Sequence, residues 1–315
     1  MSLKDTVLNQ VKNQKPEIIS ILGPTAAGKT SLAFEIGGKY NYDLISMDSR
    51  QVYKEMDVVT GKDIPKDFVF VDKGLLSYYQ SPAGFRLYTT SIVSIKEGFS
   101  LGELIRLLPQ VIKEIKERKR KVVLVGGTIH WFYRLLSLNF DEVLIKEDKK
   151  WRQKAESLNL DEIQKILTTK YPKAAKNINP SDWQNKRRLT RWYERLSYKL
   201  TPKDKEIIKT LKNWLTRTRM RIIINPSIRI LKEKIYQRIW DRIDAGALVE
   251  TAKLMEKYDT SYPAFDAPGY RQIIEFLNQK IDYDQMIQKW HEAEVRLVKK
   301  QKTWIKKIES EIPSK

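Results

Sequence analysis

The sequence contains no cysteine among its 315 residues. This absence excludes disulfide bonds, thiol catalysis and any zinc site built from cysteines. Only two histidines are present, His130 and His291, and they are too far apart in the sequence to form a recognisable metal site, so we interpret both as structural. No stretch approaches 18 uninterrupted apolar residues, which argues against a membrane span. The first residues lack the apolar core of a signal peptide, so the sequence favours a cytoplasmic location.

Acidic residues are the scarcer charged kind, with 39 Asp and Glu against 59 Lys and Arg and a formal net charge of +20. This excess is more than solubility requires and points to a polyanionic partner, first of all a nucleic acid. The segment 184–222 holds 13 basic and three acidic residues, a net of +10. Trp183, Trp192, Tyr193 and Tyr198 lie in or beside it, which suits stacking on bases. The alternative is a solvated helical face whose aromatic rings pack inward.

The hydrophobic pattern predicts an α/β fold: a P-loop core with a mostly parallel sheet flanked by helices, plus an inserted all-helical domain. A β-type run at 17–22 precedes a glycine-rich loop and a helix that is expected to end at Gly37 and Gly38. Further strands are predicted at 42–47, 121–125 and 220–224, and long helices at 100–120, 227–258 and 283–308. A loop is predicted between the helices at 227–258 and 283–308. We therefore divide the chain into a catalytic core, 1–136 and 205–315, and a helical insertion, 137–204.

The segment GPTAAGKT, residues 23–30, matches the phosphate-binding pattern G-x-x-x-x-G-K-[ST] between a predicted strand and a predicted helix. In such a loop the backbone N–H groups surround phosphate oxygens, Lys29 adds a positive charge and Thr30 binds Mg²⁺. The sequence therefore predicts a nucleotide or another diphosphate-bearing ligand, with Mg²⁺ as the cofactor. The expected diphosphate contacts are Gly23, Pro24, Thr25, Ala26, Ala27, Gly28, Lys29 and Thr30.

Two further segments follow predicted strands of the same sheet. Asp48 lies near the start of MDSRQVYKEMDVVTGKD, residues 47–63. It suits a general base, a carboxylate that organises Mg²⁺, or a helix N-cap, which is the most frequent role of an Asp-Ser pair after a strand. The turn Gly126-Gly127-Thr128 allows the backbone to approach a ligand closely, although a plain turn explains it equally well in isolation.

Together these segments, in this order, resemble the tRNA dimethylallyltransferases, also called tRNA isopentenyltransferases, over nearly the whole chain. The resemblance includes GPTAAGKT, DSRQVYKEMDVVTGKD, GGT at 126–128 and NKRRLTRWYE at 185–194. It continues through Arg229, Arg238 and Gly246 at a fixed spacing, GYRQI at 269–273 and RLVKKQKTW at 296–304. Three departures stand out: GGTIHWF replaces the usual GGTGLY and puts His130 and Trp131 near the prenyl entrance, an Asp-Pro is missing from 91–104, and Trp192-Tyr193 replaces Ala-Leu.

The resemblance implies transfer of a dimethylallyl group from dimethylallyl diphosphate to N6 of adenosine-37, immediately 3′ of the anticodon in tRNA. It implies Asp48, Lys29, Thr30 and Thr128 as catalytic residues, with Asp48 as the base, Thr30 as the metal ligand and Arg229 as an extra diphosphate contact. The adenosine stacks within the anticodon stem-loop, so it must be extruded into a channel between the core and the inserted helices. The expected tRNA contacts are Asp48, Ser49, Arg50, Gln51, Thr128, Arg187, Arg188, Leu189, Thr190 and Arg191.

Other functions remain compatible with these residues. A P-loop kinase of a nucleoside or small metabolite would use ATP, but no clear apolar strand ends in a Walker-B-type Asp outside the Asp48 region. An adenylate prenyltransferase would share the fold without needing the basic insertion. A catalytically silent RNA-binding protein would leave Lys29 and Asp48 unexplained. The long C-terminal helices are compatible with a monomer.

Overall fold

The computed structural model describes residues 3–217 and 219–313. They form two compact units. The first combines the residues up to Leu138 with those from Leu211 onward, and the second is Asn139–Thr210. The second unit begins two residues later and ends six residues later than the insertion predicted at 137–204.

A seven-stranded sheet forms the centre of the first unit. Its strands are β1 (Ile18–Leu22), β2 (Tyr42–Ser46), β3 (Val69–Val71), β4 (Tyr78–Gln80), β5 (Arg86–Tyr88), β6 (Lys121–Gly126) and β7 (Arg219–Ile223). They lie in the order β3-β4-β5-β2-β6-β1-β7. The five strands from β5 to β7 in this order run parallel, whereas β3 and β4 add an antiparallel edge. The predicted α/β class with a mostly parallel sheet is confirmed.

Fourteen α-helices occur in the described residues. They are α1 (Leu3–Gln14), α2 (Lys29–Lys39), α3 (Leu101–Glu117), α4 (Ile129–Leu136), α5 (Lys149–Ser157), α6 (Leu160–Lys170), α7 (Pro172–Ala175), α8 (Pro180–Trp183), α9 (Lys186–Ser197), α10 (Pro202–Leu215), α11 (Ile228–Asp244), α12 (Ala247–Lys257), α13 (Tyr270–Leu277) and α14 (Tyr283–Glu311). Helices α5 to α9 belong to the second unit, and α10 spans its limit at residue 210. No helix within residues 3–217 and 219–313 is long and apolar enough to cross a membrane.

The observed helices differ from the predicted ones in three places. The single helix predicted at 227–258 is the pair α11 and α12, because Gly246 between them has a left-handed backbone with φ 97°. Helix α2 continues past Gly37, where an added Cβ would lie 2.8 Å from Leu44 and 2.9 Å from the Phe85 ring. This glycine therefore allows close packing instead of ending the helix. Helix α13 lies in the segment predicted as a loop.

The core of the first unit brings the motif segments to one edge of the sheet. Strands β1, β2 and β6 are almost completely buried and carry mainly branched apolar residues, as expected for parallel strands covered on both faces. Their register pairs Leu22 with Gly126 and Ser46 with Val125. The chain therefore leaves β1, β2 and β6 at the same level, and the P-loop, Asp48 and the GGT turn follow from these ends.

The second unit has its own apolar core, which contains Trp151, Ala155, Ile163, Leu167, Ile178 and Leu189. Side chains cap the N-termini of its helices: Asp148 caps α5, Asn159 caps α6, Asn179 caps α8 and Asn185 caps α9. Each cap satisfies a backbone N–H group that has no partner inside its helix. The predicted all-helical character of this segment is confirmed.

Candidate active site

The P-loop joins β1 to α2. Gly28 at the N-terminus of α2 has φ 86°, a conformation that residues with a Cβ rarely adopt. Lys29 is buried, and its Nζ donates a hydrogen bond of 2.6 Å to the carbonyl of Pro24. Burial lowers the pKa of Lys29 to about 8. The Asp48 carboxylate acts in the opposite direction and raises this pKa, whereas the charge of Arg238 lowers it by a smaller amount. The loop therefore holds a cation whose charge changes near physiological pH.

Asp48 lies at the carboxyl end of β2. Its Oδ1 accepts a hydrogen bond of 2.9 Å from the backbone N–H of Arg50, which forms a local turn. No helix follows, so the N-cap interpretation is wrong. Its Oδ2 points towards Gly127, 3.5 Å from the position that a Cβ would occupy there, and accepts no hydrogen bond from another described residue. One carboxylate oxygen thus fixes the turn and the other is available to a ligand.

Thr128 ties the GGT turn to the segment that follows Asp48. Its Oγ1 accepts a hydrogen bond of 2.9 Å from the backbone N–H of Ser49 and lies 3.2 Å from the Ser49 hydroxyl oxygen. The Thr128 N–H donates to the carbonyl of Met47 at 3.2 Å. A Cβ at Gly126 would overlap that same carbonyl, so the glycine lets the ends of β2 and β6 approach. The backbone of the GGT turn therefore packs closely against the segment that contains Asp48.

A cavity of about 1130 Å³ lies beside the P-loop and is called here the P-loop cavity. Its walls include P-loop residues 25–31, Asp48, residues 57–66 and one face of α11. Lys29 and Thr30 line it, together with Arg50 and Gln51 of the predicted tRNA contacts. Gln51 is tied to the wall, because its Nε2 donates to the carbonyl of Gly61 at 2.9 Å.

Glu250 of α12 fixes the loop that forms one wall of the P-loop cavity. Its carboxylate accepts hydrogen bonds from three successive backbone N–H groups, those of Asp57, Val58 and Val59, at 2.8, 2.7 and 3.1 Å. The Tyr270 hydroxyl donates to the same carboxylate at 2.6 Å. Three of these four donors belong to residues 57–59, so the carboxylate holds this loop against α12. Glu250 lies outside every motif segment named from the sequence.

Arg238, and not Arg229, is the arginine of α11 at the P-loop. Its guanidinium donates to the Thr25 hydroxyl at 3.0 Å and to the Gly61 carbonyl at 3.1 Å. Arg229, the predicted diphosphate contact, is exposed on the first turn of α11 and lines neither cavity, so the structure does not bring it to the P-loop. Nine positions of a helix correspond to about two and a half turns, so the two side chains leave opposite faces.

Gln301 of α14 is a second residue that sequence reasoning missed. Its Oε1 accepts the Thr25 N–H at 3.0 Å, and its Nε2 donates to the Gly127 carbonyl at 2.9 Å. This amide therefore links the P-loop to the GGT turn. The available signal was the RLVKKQKTW segment, whose glutamine is Gln301.

A second cavity, of about 520 Å³, adjoins the P-loop cavity, and both are lined by Asp48, Gly127 and Gln301. The predicted residues Ser49 and Thr128 line it, and so do the cations Arg50, Arg271, Arg296 and Lys300. His130 and Trp304 form part of its wall with ring centroids 4.8 Å apart. Burial, followed by the charges of Arg134 and Lys307, lowers the pKa of His130 to about 4, so this imidazole is neutral at pH 7.

The five predicted tRNA contacts of the second unit differ in exposure. Arg187 is exposed and forms no ion pair with another described residue, and Arg188 is 55% exposed while pairing with Asp182 at 2.7 Å. Leu189 is completely buried in the core of the unit, so among these five predicted positions its side chain is the one that faces inward. Thr190 donates to the Lys186 carbonyl at 2.9 Å, and Arg191 pairs with the buried Glu194 at 2.8 Å.

Two aromatic rings of the basic segment pack inward instead of facing solvent. Tyr193 stacks on Trp151 with ring centroids 3.9 Å apart. Trp192 packs against the same core, and its Nε1 donates to Asp182 at 3.0 Å. Inward packing therefore describes Trp192 and Tyr193, and the exposed cations of this helix are the guanidinium groups of Arg187 and Arg188.

The strand order, the loop at 23–30 and the cavity beside it define a P-loop α/β protein. The model of the IPP transferase family matches residues 51–308. A tRNA dimethylallyltransferase of Francisella tularensis subsp. novicida is 32% identical over 94% of this chain and 92% of its own length. A tRNA dimethylallyltransferase of Coxiella burnetii is 29% identical, with 94% of this chain and 91% of the relative covered. The chain belongs to the IPP transferase family, and it is a prenyltransferase.

Solved structures support the same fold. The full-length tRNA isopentenylpyrophosphate transferase of Bacillus halodurans aligns with a TM-score of 0.60 and 26% identity, covering 92% of this chain and 86% of that one. A eukaryotic dimethylallyltransferase acting on tRNA aligns with a TM-score of 0.69 over 91% of this chain and 69% of that chain. Its identity is 22%, so this likeness concerns the fold alone.

Proposed function

We propose that this enzyme transfers a dimethylallyl group from dimethylallyl diphosphate to N6 of adenosine-37 in tRNA and releases diphosphate. The observation that carries the proposal is the position of Asp48, whose side chain lines both cavities. A donor with its diphosphate on the P-loop and an adenosine arriving through the second cavity would meet at this carboxylate. The names of the Francisella and Coxiella relatives support the proposal.

The P-loop cavity suits the donor. The P-loop N–H groups, Lys29 and Arg238 supply positive charge and hydrogen-bond donors for the diphosphate, which leaves with the electrons of the broken C–O bond. Phe34, Ile64 and Leu87 line the same cavity and offer an apolar surface to the dimethylallyl chain. A P-loop used in this way stabilises a leaving group and hydrolyses no nucleotide.

The second cavity suits the acceptor. Arg50, Arg296 and Lys300 lie where phosphates of an RNA loop would be held, and Trp304 offers a ring for stacking. The N6 amine is a weak nucleophile, and its proton becomes acidic only as the new C–N bond forms. Asp48 Oδ2 then accepts that proton, which leaves a neutral secondary amine on the adenosine.

We propose Mg²⁺, held in the P-loop cavity, as the metal of this reaction. No group of three or more His, Asp or Glu side chains suited to a metal ion occurs among the described residues. Mg²⁺ in phosphate-transfer sites needs only one or two protein ligands, because substrate phosphates and water supply the others. The Thr30 hydroxyl would hold it, with Asp48 nearby, and the bound ion would neutralise charge that develops on the diphosphate.

The second unit supplies the contact with the anticodon stem-loop in this proposal. Arg187 and Arg188, both exposed on the first turn of α9, are the residues that we expect to bind RNA phosphates. We further propose that the protein acts as a monomer and in the cytoplasm.

The test is incubation of the protein with Mg²⁺, labelled dimethylallyl diphosphate and unmodified tRNA. We expect label in the RNA at adenosine-37, identified by nuclease digestion, and none in a transcript that carries guanosine there. Parallel reactions with labelled ATP and with AMP as acceptor test a kinase and an adenylate prenyltransferase. Label in those reactions but not in tRNA would overturn the proposal.

Replacing Arg187 and Arg188 together by alanine is expected to weaken tRNA binding at 50 mM salt by roughly one to two orders of magnitude. The physical reason is the loss of two phosphate contacts, which should also reduce the slope of log K against log [salt] by about two. Electrophoretic or fluorescence titration at several salt concentrations measures both quantities. The control is the double change of Lys173 and Lys176, which removes two exposed charges of the same unit outside α9. Equal effects of the two pairs would show that α9 has no special role.

A further inference from the structure

Arg242 is a buried cation in the wall of the P-loop cavity. It lies one helical turn after Arg238 on α11, is 6% exposed, and lines the cavity together with Glu294 of α14. Its Nη1 donates to Glu294 Oε1 at 2.9 Å. Its Nε is buried and has no hydrogen-bond partner among the residues that the structure describes. A buried guanidinium with an unsatisfied donor is uncommon and calls for an explanation.

Gly61 is the point at which the two arginines converge. A Cβ added there would lie 2.5 Å from Arg242 Nη2 and closer still to Arg238 Nη2, and the residue has φ +59°. A side chain at this position would therefore separate the guanidinium groups or displace them. Burial and then the charge of Arg238 lower the pKa of Arg242. Arg238 pairs with Asp63 at 2.7 Å and Arg242 with Glu294 at 2.9 Å, so each charge is partly balanced in the free protein, and an anion between the two guanidinium groups would reduce the remaining repulsion.

We propose that Arg238 and Arg242 together form a two-arginine clamp on the donor diphosphate, with Arg242 as a second guanidinium contact and Glu294 as its positioning residue. This inference rests on the proposed function, which supplies the diphosphate. Arg238 reaches the P-loop at Thr25, and Arg242 extends the positive surface by about one turn, or roughly 6 Å along the helix. Guanidinium groups match phosphate oxygens with paired N–H donors, so two of them can enclose a diphosphate.

The alternative is that Arg242 and Glu294 are a purely structural ion pair. A buried pair contributes little net stability, and its replacement by apolar residues of similar size is often neutral or stabilising, whereas removal of one partner alone is destabilising. The double variant R242M/E294M therefore separates the two interpretations, because it keeps the net charge and leaves no unpaired group. Arg229 of the same helix, exposed and outside the cavity, provides the matched control R229M.

The experiment is calorimetric titration of the full-length protein with magnesium pyrophosphate, with a thermal unfolding scan of each variant. We expect R242M/E294M to raise the Kd about tenfold to a hundredfold while keeping the unfolding midpoint, and R229M to leave the Kd unchanged. The KM for dimethylallyl diphosphate should rise in parallel, and tRNA affinity should stay the same. An unchanged pyrophosphate Kd in a folded double variant overturns the clamp.

A further variant keeps the result decisive. If the double variant does not fold, R242K replaces it: lysine keeps the charge beside Glu294 but loses the paired donors, so pyrophosphate should still bind several times more weakly. Unchanged binding in R242K would then reject the clamp. Because the titration contains no tRNA and no prenyl chain, it measures the affinity of the diphosphate site independently of catalysis. Failure of the labelled-donor assay with an Arg242-dependent pyrophosphate Kd would reject the proposed reaction and retain the clamp.

Discussion

Replacement of Asp48 by asparagine is expected to lower kcat for prenyl transfer by about 10²- to 10⁴-fold, the usual contribution of a general base. The asparagine carbonyl can still accept the Arg50 N–H, so the local turn is preserved. What disappears is the carboxylate oxygen at the junction of the two cavities. Single-turnover kinetics with saturating donor and tRNA measure the chemical step directly, and filter binding shows whether tRNA affinity is retained.

The control for this change is Asp67→Asn, which removes an exposed carboxylate outside both cavities and should leave the rate unchanged. Full turnover of the Asp48→Asn enzyme would exclude the base assignment.

The Asp48→Asn variant should also change a pH dependence, because the Asp48 carboxylate opposes the lowering of the Lys29 pKa by burial. Loss of its charge should therefore move the pH dependence of pyrophosphate binding to lower pH, an effect that mere unfolding would not produce.

Much of this site was predictable because its parts are local in sequence. The P-loop, Asp48 and the GGT turn each follow a short buried strand, and an apolar run that stops at such a segment predicts a strand end. The α/β rule that ligands bind at the carboxyl ends of parallel strands then brings them together without any knowledge of the strand order. The observed order β2-β6-β1 is what makes the three segments neighbours.

The missed residues act across long sequence separations. Gln301 contacts the P-loop across 276 positions, and a single glutamine in a basic helix carries no pattern that reveals such a contact. The 9-residue spacing between Arg229 and Arg238 predicts that the two side chains lie on opposite faces of the helix. It does not predict which of the two faces the P-loop, because that depends on how the helix packs. Leu189 lies within a run of predicted RNA contacts, yet it is completely buried and, together with Trp192 and Tyr193, packs α9 against the core of its unit.

Replacement of Lys29 by alanine is expected to lower kcat/KM for the donor by roughly 10²- to 10³-fold, the effect of removing one preorganised donor to a developing anion. Lys29 is the cation of the P-loop, held at the Pro24 carbonyl and buried against the cavity. Affinity for tRNA should remain, since this side chain lies on the P-loop and not in the second cavity. The control is Lys12→Ala, an exposed lysine of α1, which should behave as the unchanged protein.

The lowered pKa of Lys29 gives this variant a pH signature in stability. Below pH 8 the lysine is charged in both folded and unfolded states, so the folded protein carries the full desolvation cost. Between pH 8 and 10.5 the folded state loses the proton while the unfolded state keeps it, so the free energy of unfolding rises relative to the alanine variant. The full difference is on the order of 3 kcal/mol. Denaturant titrations of both proteins from pH 7 to 10.5 measure it, and parallel pH profiles would contradict the assignment.

The same proton should appear in ligand binding. An anion on the P-loop favours the charged form of Lys29 and raises its pKa, so above pH 8, where the free protein has lost the proton, pyrophosphate binding must take one up. Calorimetry at pH 9 in two buffers of different ionisation enthalpy counts the protons. We expect uptake approaching one proton in the unchanged protein and a markedly smaller value in Lys29→Ala. Equal uptake in both would mean that another group near the cavity binds the proton, and Lys29 would then not be the cation that meets the diphosphate.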